Sequence, residues 1–169
     1  EIYRCDWSSD VCSSDHHFWL LYFYDRVPVP HTEAAIAHIL RTQGGKDNGF
    51  GQGVHGPHSS ACEDIDSIDP LARLSRASPQ RAEIEKALAR VEDHVWSHQN
   101  NDGGFTWIRG TKFQYGHPLL AAPVDGSAMF PTWFRTLALA YLGQALPTSR
   151  TGAFDWHFAQ CPGIQFYYP

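Results

Sequence analysis

The chain has 169 residues, of which 43% are hydrophobic and 14% aromatic, and its formal net charge is −5. This length and composition suit one folded domain with a hydrophobic core and exclude an intrinsically disordered chain. The mild acidic balance, without a basic run, argues against a nucleic-acid partner.

Residues 1–15, EIYRCDWSSDVCSSD, differ in character from the rest of the chain because the triplet Ser-Ser-Asp occurs twice within them. They resemble the translation of a sequencing-library adapter, and we predict that they are an assembly artefact; the alternative is a polar N-terminal tail. Without them the net charge is −2, and Cys62 and Cys161 are the cysteines that remain. Two cysteines do not make a disulfide framework. We therefore assign the domain to residues 16–169.

The next stretch, HHFWLLYFY at 16–24, is too short to span a bilayer. Beyond it, the first predicted helix has Thr32 as its N-cap and runs to Gln43. A second is predicted to begin at Pro70, a residue suited to the first helical position, with Asp69 as its cap. No alternating strand pattern is evident, and the glycine-rich loop at 44–60 is unusually long for a compact domain.

Two further helices follow in the second half of the chain. Ser78 and Pro79 are expected to open the third, and the fourth is expected to run from about Pro131 until Pro147 ends it. Helical spacings of four, three and four residues define the buried face of the third helix, which comprises Ile84, Leu88, Val91 and Val95. The prediction is an all-α domain.

Negative charge is concentrated in the segment CEDIDSID at 62–69. Like charges repel, so such a cluster indicates a proton donor with a raised pKa, a cation site or a set of helix caps. Capping is the plainest role for Asp69, and Glu63 is expected to be solvated. Asp64 and Asp66 either receive N–H groups at a helix start or take part in catalysis or ligand binding.

A metal site is one alternative for the same region. His55, His58 and Cys62, with Asp64 nearby, supply ligand types that zinc accepts. Glycines and a proline interrupt this spacing, and a chain with ten histidines brings some together by chance. We therefore assign no metal.

An internal repeat joins the two halves of the chain. AHILRTQGGKDNGFG at 37–51 and DHVWSHQNNDGGFTW at 93–107 each place a histidine five residues before a glutamine, followed by an acid, a glycine and a phenylalanine. In each, Asn-Gly or Gly-Gly allows the positive φ that turns the chain after a helix. The glutamine is expected to bond helix-end carbonyls, and Asp102, like Asp47, to accept loop N–H groups. None of this requires catalysis.

QNNDGGFTW resembles the Gln-to-Trp repeat of terpenoid cyclases and protein prenyltransferase β subunits, and TQGGKDNGFG resembles a degenerate copy. The resemblance covers roughly residues 31–146. It implies a partial α/α toroid of about three helical-hairpin repeats, the C-terminal part of a larger ring. Non-catalytic toroids share this repeat, so it indicates the fold more than the activity.

The resemblance also gives the acidic segment a role. Class II terpene cyclases protonate an alkene with an Asp-x-Asp-Asp motif, which Asp64-Ile65-Asp66-Ser67 matches at positions one and three. The third position implies Asp66 as general acid, with Asp64 sharing its proton; Ser67 departs from the motif. Aromatic faces would stabilise the carbocation. The candidates for substrate binding are Trp107, Trp133, Phe134 and Tyr115, with Phe105 and Phe130 also available.

The prenyltransferase version of the resemblance fits less well. That family binds zinc with an Asp two residues before a Cys, whereas here the order is Cys62-Glu63-Asp64. No cofactor or metal is therefore implied. Arg135, among aromatic residues, is expected to pair with an acid across the core or to bind an anionic substrate.

The leading hypothesis is a cyclase-like isomerase acting on an apolar or polyprenyl small molecule. The alternative is a non-catalytic α/α toroid that binds a ligand or a partner protein through its concave face.

Overall fold

The computed structural model describes residues 19, 21–23, 25–44, 47–51 and 59–156. Within these ranges the protein is mainly helical, which confirms the all-α prediction. The elements are α1 (Thr32–Thr42), α2 (Ala61–Leu74), α3 (Arg81–Ser97), β1 (Phe113–Gln114), β2 (Ala121–Ala122), α4 (Met129–Ala145) and a 3-10 turn (Thr151–Ala153). None of the helices in the described ranges combines the length and apolar character needed to cross a membrane.

Three helices lie close to their predicted positions. The apolar residues predicted for α3, Ile84, Leu88, Val91 and Val95, are all fully buried. α4 begins two residues before Pro131. In α1, Thr32 is the first helical residue and not the cap, because His31 takes the N-cap position and the Thr32 hydroxyl donates to the carbonyl of Val29.

The prediction for α2 was wrong at its start. The helix begins at Ala61, with Ser60 as N-cap and Glu63 accepting from the Ser60 backbone N–H at 3.0 Å in a capping box. Glu63 is therefore a buried cap and not a solvated charge. Pro70 lies inside the helix, where its ring nitrogen cannot donate to the carbonyl of Asp66.

Asp69 is likewise not a cap. It lies within α2, is buried, and pairs with Arg73 one turn later. The proline misled the sequence analysis because a first-turn proline and an interior proline look alike in sequence. The capping box of Ser60 and Glu63, whose N-cap lies ten residues before Pro70, was the stronger start signal.

α2 packs most extensively on α4, which also contacts α3. The core between them is aliphatic and is completed by one phenylalanine from each repeated loop. Its fully or nearly fully buried members include Ile36, Ile65, Ile68, Leu71, Leu137, Tyr141, Leu142, Phe50 and Phe105. The β1–β2 pair is a short antiparallel hairpin in the connection that precedes α4.

The two repeated loops have the same backbone frame. Isolated antiparallel bridges join Gln43 to Phe50 and Gln99 to Phe105. Each glutamine amide donates to the carbonyl two residues before its phenylalanine, at 3.0 Å in the first loop and 3.4 Å in the second. The glutamines thus hold loop carbonyls and not the helix-end carbonyls that we expected.

The turn chemistry of the loops matches the prediction. Asn48 and Gly103 occupy equivalent positions and both have positive φ, 57° and 85°. Asp102 accepts from the Gly104 N–H at 2.9 Å, as expected for a clamp on the loop backbone. The two loops therefore share a bridge and a turn conformation as well as a sequence pattern.

In each loop, a glycine packs against a serine that lies one residue before the N-cap of the following helix. A Cβ on Gly49 would lie 2.5 Å from the Cβ of Ser59, and a Cβ on Gly104 would lie 2.7 Å from the Cβ of Ser127. These distances are too short for any side chain, so the close approach requires glycine at both positions. The repeating unit is thus a helix, a glycine loop and a second helix on which the loop rests.

Candidate functional site

Asp64 lies at the centre of a buried hydrogen-bond network. It is 0% exposed. Its Oδ1 accepts from the Phe50 N–H at 3.1 Å and from the Ser59 hydroxyl at 2.6 Å. Its Oδ2 lies 2.8 Å from Nη1 of Arg135 and 3.1 Å from Nε2 of His94. One carboxylate therefore joins the first loop, α2, α3 and α4.

The environment keeps Asp64 ionised. Burial by itself would raise its pKa, but the hydrogen bond from His94 and the charge of Arg135 outweigh burial and hold the pKa well below its usual value. Because an ionised carboxylate only accepts hydrogen bonds, Nε2 of His94 must carry a proton. Asp64 is therefore an anion with all its partners in place and not a proton donor.

Arg135 connects this network to the second loop. It is completely buried. Besides Asp64, it donates through Nε to the carbonyl of Thr106 at 3.1 Å and through Nη2 to the carbonyl of Trp107 at 2.9 Å. Burial lowers the pKa of Arg135, and Asp64 opposes that shift. The expected pairing of Arg135 with an acid across the core is confirmed.

His98 is the uncharged member of the same region. Its Nδ1 donates to the carbonyl of His94 at 2.9 Å, and the two rings are edge to face at 4.6 Å. Burial, with the nearby charge of Arg135, lowers the pKa of His98 to about 3. His98 is therefore neutral at physiological pH and adds no cation beside Arg135.

Asp66 has the opposite character from Asp64. It is 4% exposed, and burial raises its pKa to about 7. The Sγ of Cys62, 3.5 Å from its Oδ2, opposes this shift, whereas the charges of Glu63 and Asp69 add to it. A carboxyl group in this setting is partly protonated at neutral pH.

The two aspartates do not form the proton-sharing pair that the motif implied. Residues two apart on an α-helix point about 200° apart around its axis. Asp64 accordingly contacts α3 and α4, while the charges that shift the pKa of Asp66 are those of Glu63 and Asp69 on α2 itself. Asp69 also has a raised pKa, about 6, because burial outweighs its pairing with Arg73.

The predicted substrate-binding aromatic residues are brought together around Phe130. Its ring centroid lies 4.6 Å from that of Tyr115, 4.5 Å from that of Phe134, 5.8 Å from that of Trp107 and 6.3 Å from that of Trp133. Phe113, which the sequence analysis did not single out, stacks on the same ring at 6.3 Å. We call these six residues the aromatic cluster.

The aromatic cluster is partly open to solvent. Tyr115 is 56% exposed and Trp133 is 52% exposed, whereas Phe113 is buried. Phe105, the other aromatic candidate, belongs to the core, where its ring lies 6.5 Å from that of Trp96. The cluster therefore has a buried base and an accessible rim.

The metal hypothesis falls partly outside the described ranges, since His55 and His58 are not among the described residues. Within those ranges, no group of three or more His, Cys, Asp or Glu side chains is arranged to hold a metal ion.

His94 and Ser59 were missed as members of the Asp64 network. The histidine was visible as a repeated feature five residues before Gln99, but its partner is distant in sequence and a pattern along the chain does not reveal it.

Three comparisons with known proteins gave no match: no family model, no curated protein and no solved structure is similar to the chain. The likeness to the toroid family accordingly rests on the residues of the two repeated loops.

Proposed function

We propose that the protein binds an apolar or polyprenyl-type small molecule against the aromatic cluster. The observation that carries this proposal is the partial exposure of a six-ring cluster, with Tyr115 and Trp133 each more than half accessible at its rim. Aromatic rings offer large apolar faces, and pockets for apolar ligands are lined mainly by such side chains.

The surroundings of the aromatic cluster support ligand binding over a purely structural role. Leu119 and Met129, each 86% exposed, and the exposed Leu120 lie in the chain between Tyr115 and Phe130 of the cluster. Large apolar side chains that are exposed close together on a surface often mark a binding site. By contrast, the core rings of Phe50 and Phe105 are almost completely buried.

The shared frame of the two loops supports the partial α/α toroid as the fold that presents this cluster. Both Gln-to-Phe loops have the same bridge, the same positive-φ position and the same glycine contact with a serine just before the following helix. Successive units of one repeat architecture are built in this way.

The test is titration of the protein with farnesol, followed by tryptophan fluorescence and calorimetry. Replacing Trp133 by Leu should weaken farnesol binding by about tenfold, because a stacked ring contributes about 1.5 kcal/mol. Trp96→Phe is the matched control, since Trp96 packs on Phe105 in the core and should leave the affinity unchanged. Equal affinities for the wild type and Trp133→Leu would refute the proposal.

A second candidate, proton-initiated cyclisation, is favoured by Asp66. A buried carboxyl with a pKa of about 7 is partly protonated at neutral pH, so a share of the molecules has a proton to donate. Its O–H bond would break as the proton forms a C–H bond with an alkene carbon, leaving the Asp66 carboxylate and a carbocation on the substrate. Loss of a substrate proton at the end would restore the acid.

Asp66→Asn separates this candidate from simple binding. The amide keeps the size of the side chain but has no acidic proton to give. In assays with a linear polyprenyl substrate, such as squalene or geranylgeraniol, cyclised product should disappear while binding of farnesol persists. Undiminished product formation by Asp66→Asn would rule out the acid role.

A further inference from the structure

We propose that Asp64 is a positioning residue for the aromatic cluster. Arg135 bridges the carboxylate of Asp64 to the backbone carbonyl of Trp107, a member of that cluster. This inference rests on the proposed ligand-binding function of that cluster. It gives Asp64 a task different from the one that the cyclase motif implies.

The first step is the geometry of the guanidinium group. Arg135 offers Nη1 to Asp64 and uses Nε and Nη2 for the carbonyls of Thr106 and Trp107, all within 3.1 Å. A guanidinium is planar and rigid, so fixing one of its N–H groups fixes the directions of the others. The carboxylate on α2 therefore determines where the carbonyl of Trp107 is held.

The second step is the burial of both charges. Asp64 and Arg135 are each 0% exposed. A fully buried cation needs its counter-ion, because burial removes it from bulk solvent. Without the carboxylate, Arg135 would be driven to shift, and its two carbonyl contacts would shift with it.

The third step is the path from the carbonyl to the cluster. The ring of Trp107 lies 5.2 Å from that of Phe113, 5.8 Å from that of Phe130 and 6.3 Å from that of Phe134. A displaced backbone at Trp107 therefore changes several ring contacts at once. The affinity of a ligand that stacks on those rings would fall.

The internal repeat shows that loop docking alone does not need a carboxylate. At the position equivalent to Asp64, the second repeat has Thr132, whose hydroxyl accepts from the Phe105 N–H at 2.9 Å. Oδ1 of Asp64 does the same for Phe50 at 3.1 Å. The second oxygen, Oδ2, is what Asp64 adds, and it is used for Arg135 and His94.

The experiment uses the whole chain labelled with 5-fluorotryptophan and observed by ¹⁹F NMR. The chain has six tryptophans, and Trp107→Phe assigns the Trp107 line. Asp64→Asn keeps an oxygen for the Phe50 N–H but replaces the acceptor for Arg135 by an amide donor. Glu92→Gln is the matched control, because Glu92 is also a buried carboxylate but contacts Ser149 and Thr151 instead.

We expect Asp64→Asn to move the Trp107 line and to weaken farnesol binding about tenfold, while Glu92→Gln does neither. Arg135→Lys keeps a cation opposite Asp64 but cannot hold both carbonyls, so it should move the same line. If Asp64→Asn does not fold, Arg135→Lys decides. An unmoved Trp107 line in whichever of the two variants folds overturns the inference.

The two proposals fail in different ways. If the wild type does not bind farnesol, the proposed function fails, yet a moved Trp107 line still supports the positioning role. If the wild type binds farnesol and the Trp107 line stays in place, the positioning role alone fails.

Discussion

At the scale of single residues, two aspartates on one helix have opposite protonation behaviour because their partners differ. Asp64 faces a histidine and an arginine and is held as an anion, whereas Asp66 is buried near other acids and is partly protonated at neutral pH. The motif Asp-x-Asp fixes neither outcome. For Asp64, partners on α3 and α4 outweigh burial; for Asp66, burial is the largest cause of the shift and charges on α2 add to it.

This contrast predicts a pH dependence of stability. The folded-state pKa of Asp66 is raised from 3.8 to about 7, so its contribution to stability is fully present below about pH 4 and is lost as the pH rises through 7. The unfolding free energy of Asp66→Asn should therefore rise relative to that of the wild type by about 1.4 kcal/mol per pH unit across this window.

Urea unfolding at pH 5, 6, 7 and 8 measures this difference. His98 also titrates differently in the folded and unfolded states, but it is present in each protein and cancels in the comparison. If the difference in unfolding free energy between the wild type and Asp66→Asn did not change from pH 5 to pH 8, Asp66 would be ionised throughout this range.

At the scale of elements, the glycine loops are more demanding than their flexible composition suggests. Gly49→Ala would place a Cβ 2.5 Å from that of Ser59 and 2.6 Å from Nε2 of His94, and Gly104→Ala would meet Ser127 at 2.7 Å. Each should lower the unfolding free energy by about 1–3 kcal/mol, the usual cost of overpacking.

Gly44→Ala is the control for both loop variants. It lies in the first loop, but a Cβ there meets nothing within 4 Å. Its unfolding free energy in urea should stay within about 0.5 kcal/mol of the wild type. If Gly49→Ala were as stable as Gly44→Ala, the close docking of the first loop on α2 would be wrong.

At the scale of the whole molecule, sequence patterns predicted features that depend on neighbouring residues, such as helix faces and turn conformations. The buried face of α3, the positive φ at Asn48 and Gly103, and the repeat itself followed from spacing and turn chemistry. The start of α2 did not, because Pro70 gave a helix-start signal that the capping box at Ser60 overrode. The preference of one proline for the first turn of a helix stabilises a helix start less than a capping box, which satisfies two backbone N–H groups.

The sequence indicated the aromatic residues that lie together in the structure, but not the contact that links Asp64 to Arg135. Trp107, Tyr115, Trp133 and Phe134 were named from composition and resemblance, and they do meet around Phe130. The link from Asp64 to Arg135 spans 71 positions along the chain. Such a contact is set by how α2 packs on α4, which no spacing within either helix reveals.

The two repeats differ in the length of the stretch that joins each loop to the helix that follows it in the chain. In the second repeat, that stretch holds the β1–β2 hairpin and half of the aromatic cluster, yet Gly104 still meets Ser127 as Gly49 meets Ser59. Loops on a fixed scaffold accept insertions readily. A replacement of residues 107–126 would therefore have to retain Arg109 and Asp125, because Arg109 donates to the carbonyls of Ser97 and Gln99 and the carbonyl of Asp125 accepts from Asn100.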